Sequence, residues 1–105
     1  MKNKMERQME ELVQSIGELA LARQQLARKA EQQYALEVEA IFQSQCRDPR
    51  QIERLLDGML DFCFDAQMLL WYKKLCRYYF EIDPAATVSY VNAYRDMWDD
   101  ERSVR

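Results

Sequence analysis

The chain is 105 residues long, enough for one small domain with a modest core and too short for two. Two Gly and two Pro in a sequence rich in Glu, Arg, Gln, Leu, Ala and Met leave the residues that lose least on entering a helix, so an all-α single domain over 1–105 is expected. The formal net charge of -3 comes from dispersed residues, so neither the basic footprint of a nucleic-acid binder nor an acidic tail dominates, and charge names no partner.

The first element is long. Met5, Met9, Leu12, Ile16, Leu19, Leu26, Ala30, Tyr34, Val38 and Ile41 follow a period close to 3.6 residues, interrupted in the stripe by Arg23. This spacing predicts one amphipathic helix near 3–45, a nearly straight rod of roughly 60 Å at 1.5 Å per residue. Gly17 within it is read as a weak point rather than a close packing contact. The basic start "MKNKMERQMEEL" leads into no apolar run, and nowhere do about 18 uncharged apolar residues stand together, so neither a signal peptide nor a membrane span is expected and the chain reads as cytoplasmic.

The second element begins at "RDPR". Asp48 before Pro49 combines an N-cap acceptor with a residue that has no N–H to leave unpaired, and Gln51 completes a variant of the capping box. A helix is predicted near 49–81 with two apolar stripes, one through Ile52, Leu55, Met59, Phe62, Ala66, Leu69, Cys76 and Phe80, the other through Leu56, Leu60, Cys63, Leu70, Trp71, Leu75, Tyr78 and Ile82. So wide an apolar arc must be covered on two sides, which makes this the central element. Tyr72, Tyr78 and Tyr79 then need hydroxyl partners or a wet edge.

A second Asp-Pro pair, Asp83–Pro84, starts the third helix, predicted near 84–101 with Thr87, Val91, Tyr94 and Trp98 on one face. Asp99, Asp100 and Glu101 meet the negative pole of its dipole and should fray its last turn. The expected architecture is therefore an all-α three-helix antiparallel bundle built on a long helical hairpin, with the third helix short. Residue i of the first helix should face about residue 94 − i of the second, placing Arg23 near Trp71, or within reach of Asp96, and Tyr34 near Leu60.

A short third helix would leave Tyr34, Val38, Ile41, Phe42, Ile52, Leu55, Leu56 and Met59 uncovered at the hairpin tip. Such a patch marks an association surface, so the expected function is that of a non-enzymatic helical interaction, adaptor or regulatory protein forming a homodimer through this tip, with an unidentified protein as the other candidate partner. The N-terminal turns of the first helix offer a second place for another copy to pair.

Other chemistry is thinner. Lys73, Lys74 and Arg77, interleaved with aromatics in "WYKKLCRYYF", suggest a small nucleic-acid-binding accessory factor as the alternative, although no helix-turn-helix spacing accompanies them. Glu53, Asp57, Asp61 and Asp65 form a carboxylate row that could meet a cation, but the chain contains no His, and a solvated or Arg-paired face is the expectation. Cys46, Cys63 and Cys76 lack zinc-site spacing, and the last two sit among apolar residues as small hydrophobes. With no His, no Gly-rich phosphate loop and no nucleophile elbow, no catalytic, metal or cofactor site is assigned.

Overall fold

Asn3 caps the first helix by accepting from the Glu6 N–H at 2.8 Å, and Gln45 ends it in the left-handed region with its N–H on the Ile41 and Phe42 carbonyls. Between them α1 runs unbroken over Lys4–Ser44. The computed structural model describes residues 3–99, so Asp100 and Glu101 lie outside the described residues. Gly17 has nothing within 4 Å of where a Cβ would stand, consistent with a weak point rather than a packing contact.

The predicted second helix is two helices, and this is the main correction to the expected architecture. α2 spans Pro49–Leu60 and α3 spans Ala66–Phe80, separated by a turn at Asp61–Asp65. Asp, Phe, Cys, Phe and Asp are five consecutive residues with below-average helix propensity, and Asp65 is better used as a cap than as a helix interior. Its backbone is extended, and its carboxylate accepts from the Met68 N–H at 3.0 Å. The apolar stripes ran through this stretch unbroken because both helices bury the same kind of face. α4 follows over Pro84–Trp98, capped by Asp83 through the Ala86 N–H at 3.0 Å. Asp48 caps α2 through the Arg50 N–H, while Gln51, instead of closing a capping box, accepts from the Cys46 thiol.

The break reverses the chain. α2 runs antiparallel to α1, with Tyr34 against Gly58 and Glu37 within 3.9 Å of Arg54, close to the expected register. α3 then runs parallel to α1: Trp71 Nε1 donates to Glu31 at 2.9 Å, and farther along both helices the Phe42 and Tyr78 rings meet at a tilt of 49° with centres 5.2 Å apart. α4 returns along α3, bringing the Tyr94 ring beside Tyr72. The four helices are thus a compact body made of α2, α3, α4 and the C-terminal half of α1, with α3 packed against each of the others. The whole measures 64 × 35 × 18 Å, because the N-terminal half of α1 extends beyond that body.

The core is Val38, Ile41, Ile52, Leu55, Leu56, Met59, Met68, Tyr72, Leu75 and Tyr79, with Cys63 and Cys76 among them. The supposedly bare hairpin tip is its centre. Val38, Ile41, Ile52, Leu55, Leu56 and Met59 are buried, and Tyr34 and Phe42 are half-buried. Folding α3 back, rather than continuing α2, lays it over the tip.

Candidate functional site

With the tip closed, single apolar side chains remain exposed on α3 and α4, among them Leu70, Phe80, Val88 and Met97, while a regular exposed stripe runs along the other end of α1. Met5, Met9, Leu12, Ile16 and Leu19 are exposed, from 61% at Leu12 to 77% at Met5, with Val13 beside them. Their separations alternate four and three residues, and Arg23 and Leu26 continue the alternation. Averaged over all of α1 the stripe has a period near 3.6, but over this projecting half it is the 3.5 of a coiled-coil seam. Helices do not keep such a stripe in water without a partner at little cost, since an isolated amphipathic helix draws most of its stability from packing.

The seam is continuous with the packed face of the body. At Arg23 the stripe meets the turn and the end of α4: the guanidinium carbon lies 4.1 Å from the centre of the Phe64 ring and 5.9 Å from that of Trp98. The expected neighbour, Trp71, is elsewhere, bonded to Glu31 and with the Lys74 ammonium 4.7 Å from its ring centre. The register failed here because it assumed α2 continued past residue 60. From Ala27 onward the same side of α1 is buried by α2 and α3.

Residues flanking the seam carry further information. In a heptad assignment placing Met9 and Ile16 at a and Met5, Leu12 and Leu19 at d, the e and g positions are Glu6, Val13, Ala20 and Gln8, Ser15, Ala22. Of these, Glu6 alone is charged, so the flanks hold neither the repulsion that separates identical helices nor the opposite charges that select a different one.

The other candidate residues are distributed differently. Lys73, Lys74 and Arg77 are exposed on α3, and of the aromatics around them Phe80 is exposed while the three tyrosines are engaged inside the chain. Tyr72 donates to the Tyr90 carbonyl at 2.8 Å, Tyr78 to the Cys46 carbonyl at 2.7 Å, and Tyr79 to Glu53. None of those three rings is left as a stacking platform. Burial raises the pKa of Tyr72 and, together with its bond to Glu53, that of Tyr79.

The carboxylate row is divided among separate tasks. Glu53 receives Tyr79, Asp57 Oδ1 receives the Tyr90 hydroxyl at 2.8 Å, Asp61 caps the end of α2, and Asp65 caps α3 while accepting from Gln24 at 3.3 Å. Among the described residues no group of three or more His, Cys, Asp or Glu is placed to hold a metal ion. The thiols of Cys63 and Cys76 are buried and unbridged, and burial pushes them up to about 12 and about 11, so at neutral pH both are protonated and poor nucleophiles. No helix among the described residues is long and apolar enough to cross a membrane. No protein-family model, curated protein or solved structure matches the chain, so the surfaces described above are what indicate a function.

Proposed function

We propose that the protein is a non-enzymatic helical interaction protein that self-associates, two copies pairing through the N-terminal half of α1. The observation that carries this reading is the exposed alternation of Met5, Met9, Leu12, Ile16 and Leu19 on a helix that continues unbroken out of a packed body. A second copy is favoured over a foreign helix by the uncharged flanks, which let identical helices approach and give no other helix a complementary charge pattern. The area is adequate. Six large side chains per copy, at the ~60–120 Å² each implied by about 1.5–3 kcal/mol per buried side chain, give roughly 1,000 Å² over two copies, near the lower edge of stable interfaces.

Sedimentation of the wild type and of Ile16→Glu tests the reading. The wild type is expected to sediment as a dimer at tens of micromolar by the order of such interfaces, and Ile16→Glu as a monomer. Leu36→Glu, which changes an exposed residue on the body-bearing half of α1, is the control and should leave the dimer intact. A monomeric wild type overturns the proposal, and a dimer indifferent to Ile16→Glu moves the interface away from α1.

A further inference from the structure

We propose that the groove between α3 and α4 is a binding site for a small amphipathic monoanion, a carboxylate carrying an apolar tail. The groove has a volume of about 330 Å³, within the lower range of small-molecule sites. Leu69, Val91 and Tyr94 supply its apolar walls, with Tyr72 and Cys76 beneath. Tyr72 contributes its ring, because its hydroxyl is already committed to the Tyr90 carbonyl, and the Cys76 thiol, protonated at neutral pH, adds no negative charge.

Charge selects the ligand. Lys73 and Arg77, one turn apart on α3, and Arg95 on the last turn of α4 line the same groove, all three exposed at its mouth. Among the described residues none of the three cations is in a salt bridge, and the acidic side chain facing them is Asp99 at the end of α4. Among the described residues lining the groove, three cations stand against one carboxylate at the mouth of an apolar floor. A ligand that matches must bury a hydrocarbon or aromatic body and leave one anionic group at the rim, where guanidinium and ammonium donors reach it. A phosphate or polyanion would leave the floor unfilled, and a neutral apolar molecule would leave the cations unused. None of the exposed seam residues of α1 lines this groove, so the site does not depend on association.

Octanoate is the probe, titrated into the Ile16→Glu variant so that failure of the dimer proposal does not affect the result. The measurement follows the methyl resonances of Leu69 and Val91, with those of Leu36 as the distant control, and compares octanol and octylammonium as uncharged and cationic analogues. Octanoate is expected to shift Leu69 and Val91 and leave Leu36 unmoved, with octanol weaker and octylammonium weakest. Because the cations are exposed, Lys73→Gln, Arg77→Gln and Arg95→Gln should each weaken binding about two- to fivefold. Val91→Trp, at a partly exposed wall position, should fill the groove and abolish binding while helicity by circular dichroism is retained. Octanol binding as tightly as octanoate, shifts at Leu36 in place of Leu69, or no saturable binding in the millimolar range overturns the proposal. So does capture of an acidic amphipathic peptide by a groove that ignores octanoate, which would make this a protein-docking surface.

Discussion

Trp98 Nε1 donates to the carbonyl oxygen of Leu60 at 2.8 Å, joining the last residue of α4 to the last residue of α2. The carbonyls of a final helical turn have no partner within the helix, and where α2 stops this one sits under the returning chain. The Leu60 carbonyl also accepts from the Cys63 N–H at 3.3 Å, so the indole is its second and shorter donor, and the ring centre lies 5.7 Å from that of Phe64 in the same turn. Trp98→Phe keeps most of the packing and removes the donor. Because the carbonyl keeps the Cys63 N–H, the loss is expected to lower stability by about 0.5–1.5 kcal/mol, read as a lower urea midpoint at unchanged slope, and an unchanged midpoint would show that the indole bond contributes nothing.

Arg23 is tied to this corner from the other side. Its guanidinium stacks on Phe64 and approaches Trp98, joining α1 to the turn and to α4. The side chain is exposed, so Arg23→Met should cost only about 0.5–1 kcal/mol. Because Arg23 also continues the exposed seam, Arg23→Leu should tighten self-association in sedimentation while weakening the body. A melting temperature unchanged or raised in Arg23→Met would mean the stack contributes nothing.

The two glycines should respond oppositely to alanine. A Cβ at Gly17 meets nothing, so Gly17→Ala should slow hydrogen exchange across residues 10–20 in proportion to a gain of up to about 1 kcal/mol of helix propensity. A Cβ at Gly58 would overlap the Tyr34 hydroxyl and stand 2.8 Å from its Cζ. The ring is held between α1 and α2, and overpacking of about 1–3 kcal/mol outweighs the propensity gain, so Gly58→Ala should lower the melting temperature. In a Tyr34→Ala background the same substitution should become neutral or stabilising.

Stability should fall on the alkaline side. Cys63 and Cys76 have folded-state values of about 12 and about 11 against an ordinary 9.0, chiefly from burial, and burial likewise raises Tyr72, Tyr79 and Tyr90. Above pH 9 the unfolded chain releases thiol protons that the folded chain retains, so the unfolded state binds fewer protons and unfolding becomes easier as pH rises. Their stabilising contribution is complete below pH 9 and is lost through about pH 11 to 12. Urea midpoints measured from pH 7 to 10.5 should be level up to about 9 and then decline, and Cys63→Ala with Cys76→Ala should flatten the first part of the decline. A midpoint independent of pH to 10.5 would contradict the burial of these thiols.

Helical class, the two Asp-Pro starts at Asp48 and Asp83, and the length of α1 follow from local physics. A cap, a proline with preset φ and a periodic stripe act within a few residues, so the sequence alone determines them. The break at Asp61–Asp65 was written locally too, in five poor helix formers ending in a capping Asp, but the apolar stripes on either side masked it because α2 and α3 bury equivalent faces against the same core. Tertiary structure alone decided what that break does. Whether Val38, Ile52, Leu56 and Met59 form an outer surface or a core depends on where the following helix lies, and a reversal of direction at five residues moved them from one to the other. The same long-range placement covered the hairpin tip and left the stripe at Met5–Leu19 without a neighbour among the described residues, because periodicity records that a face is apolar but not which neighbour reaches it.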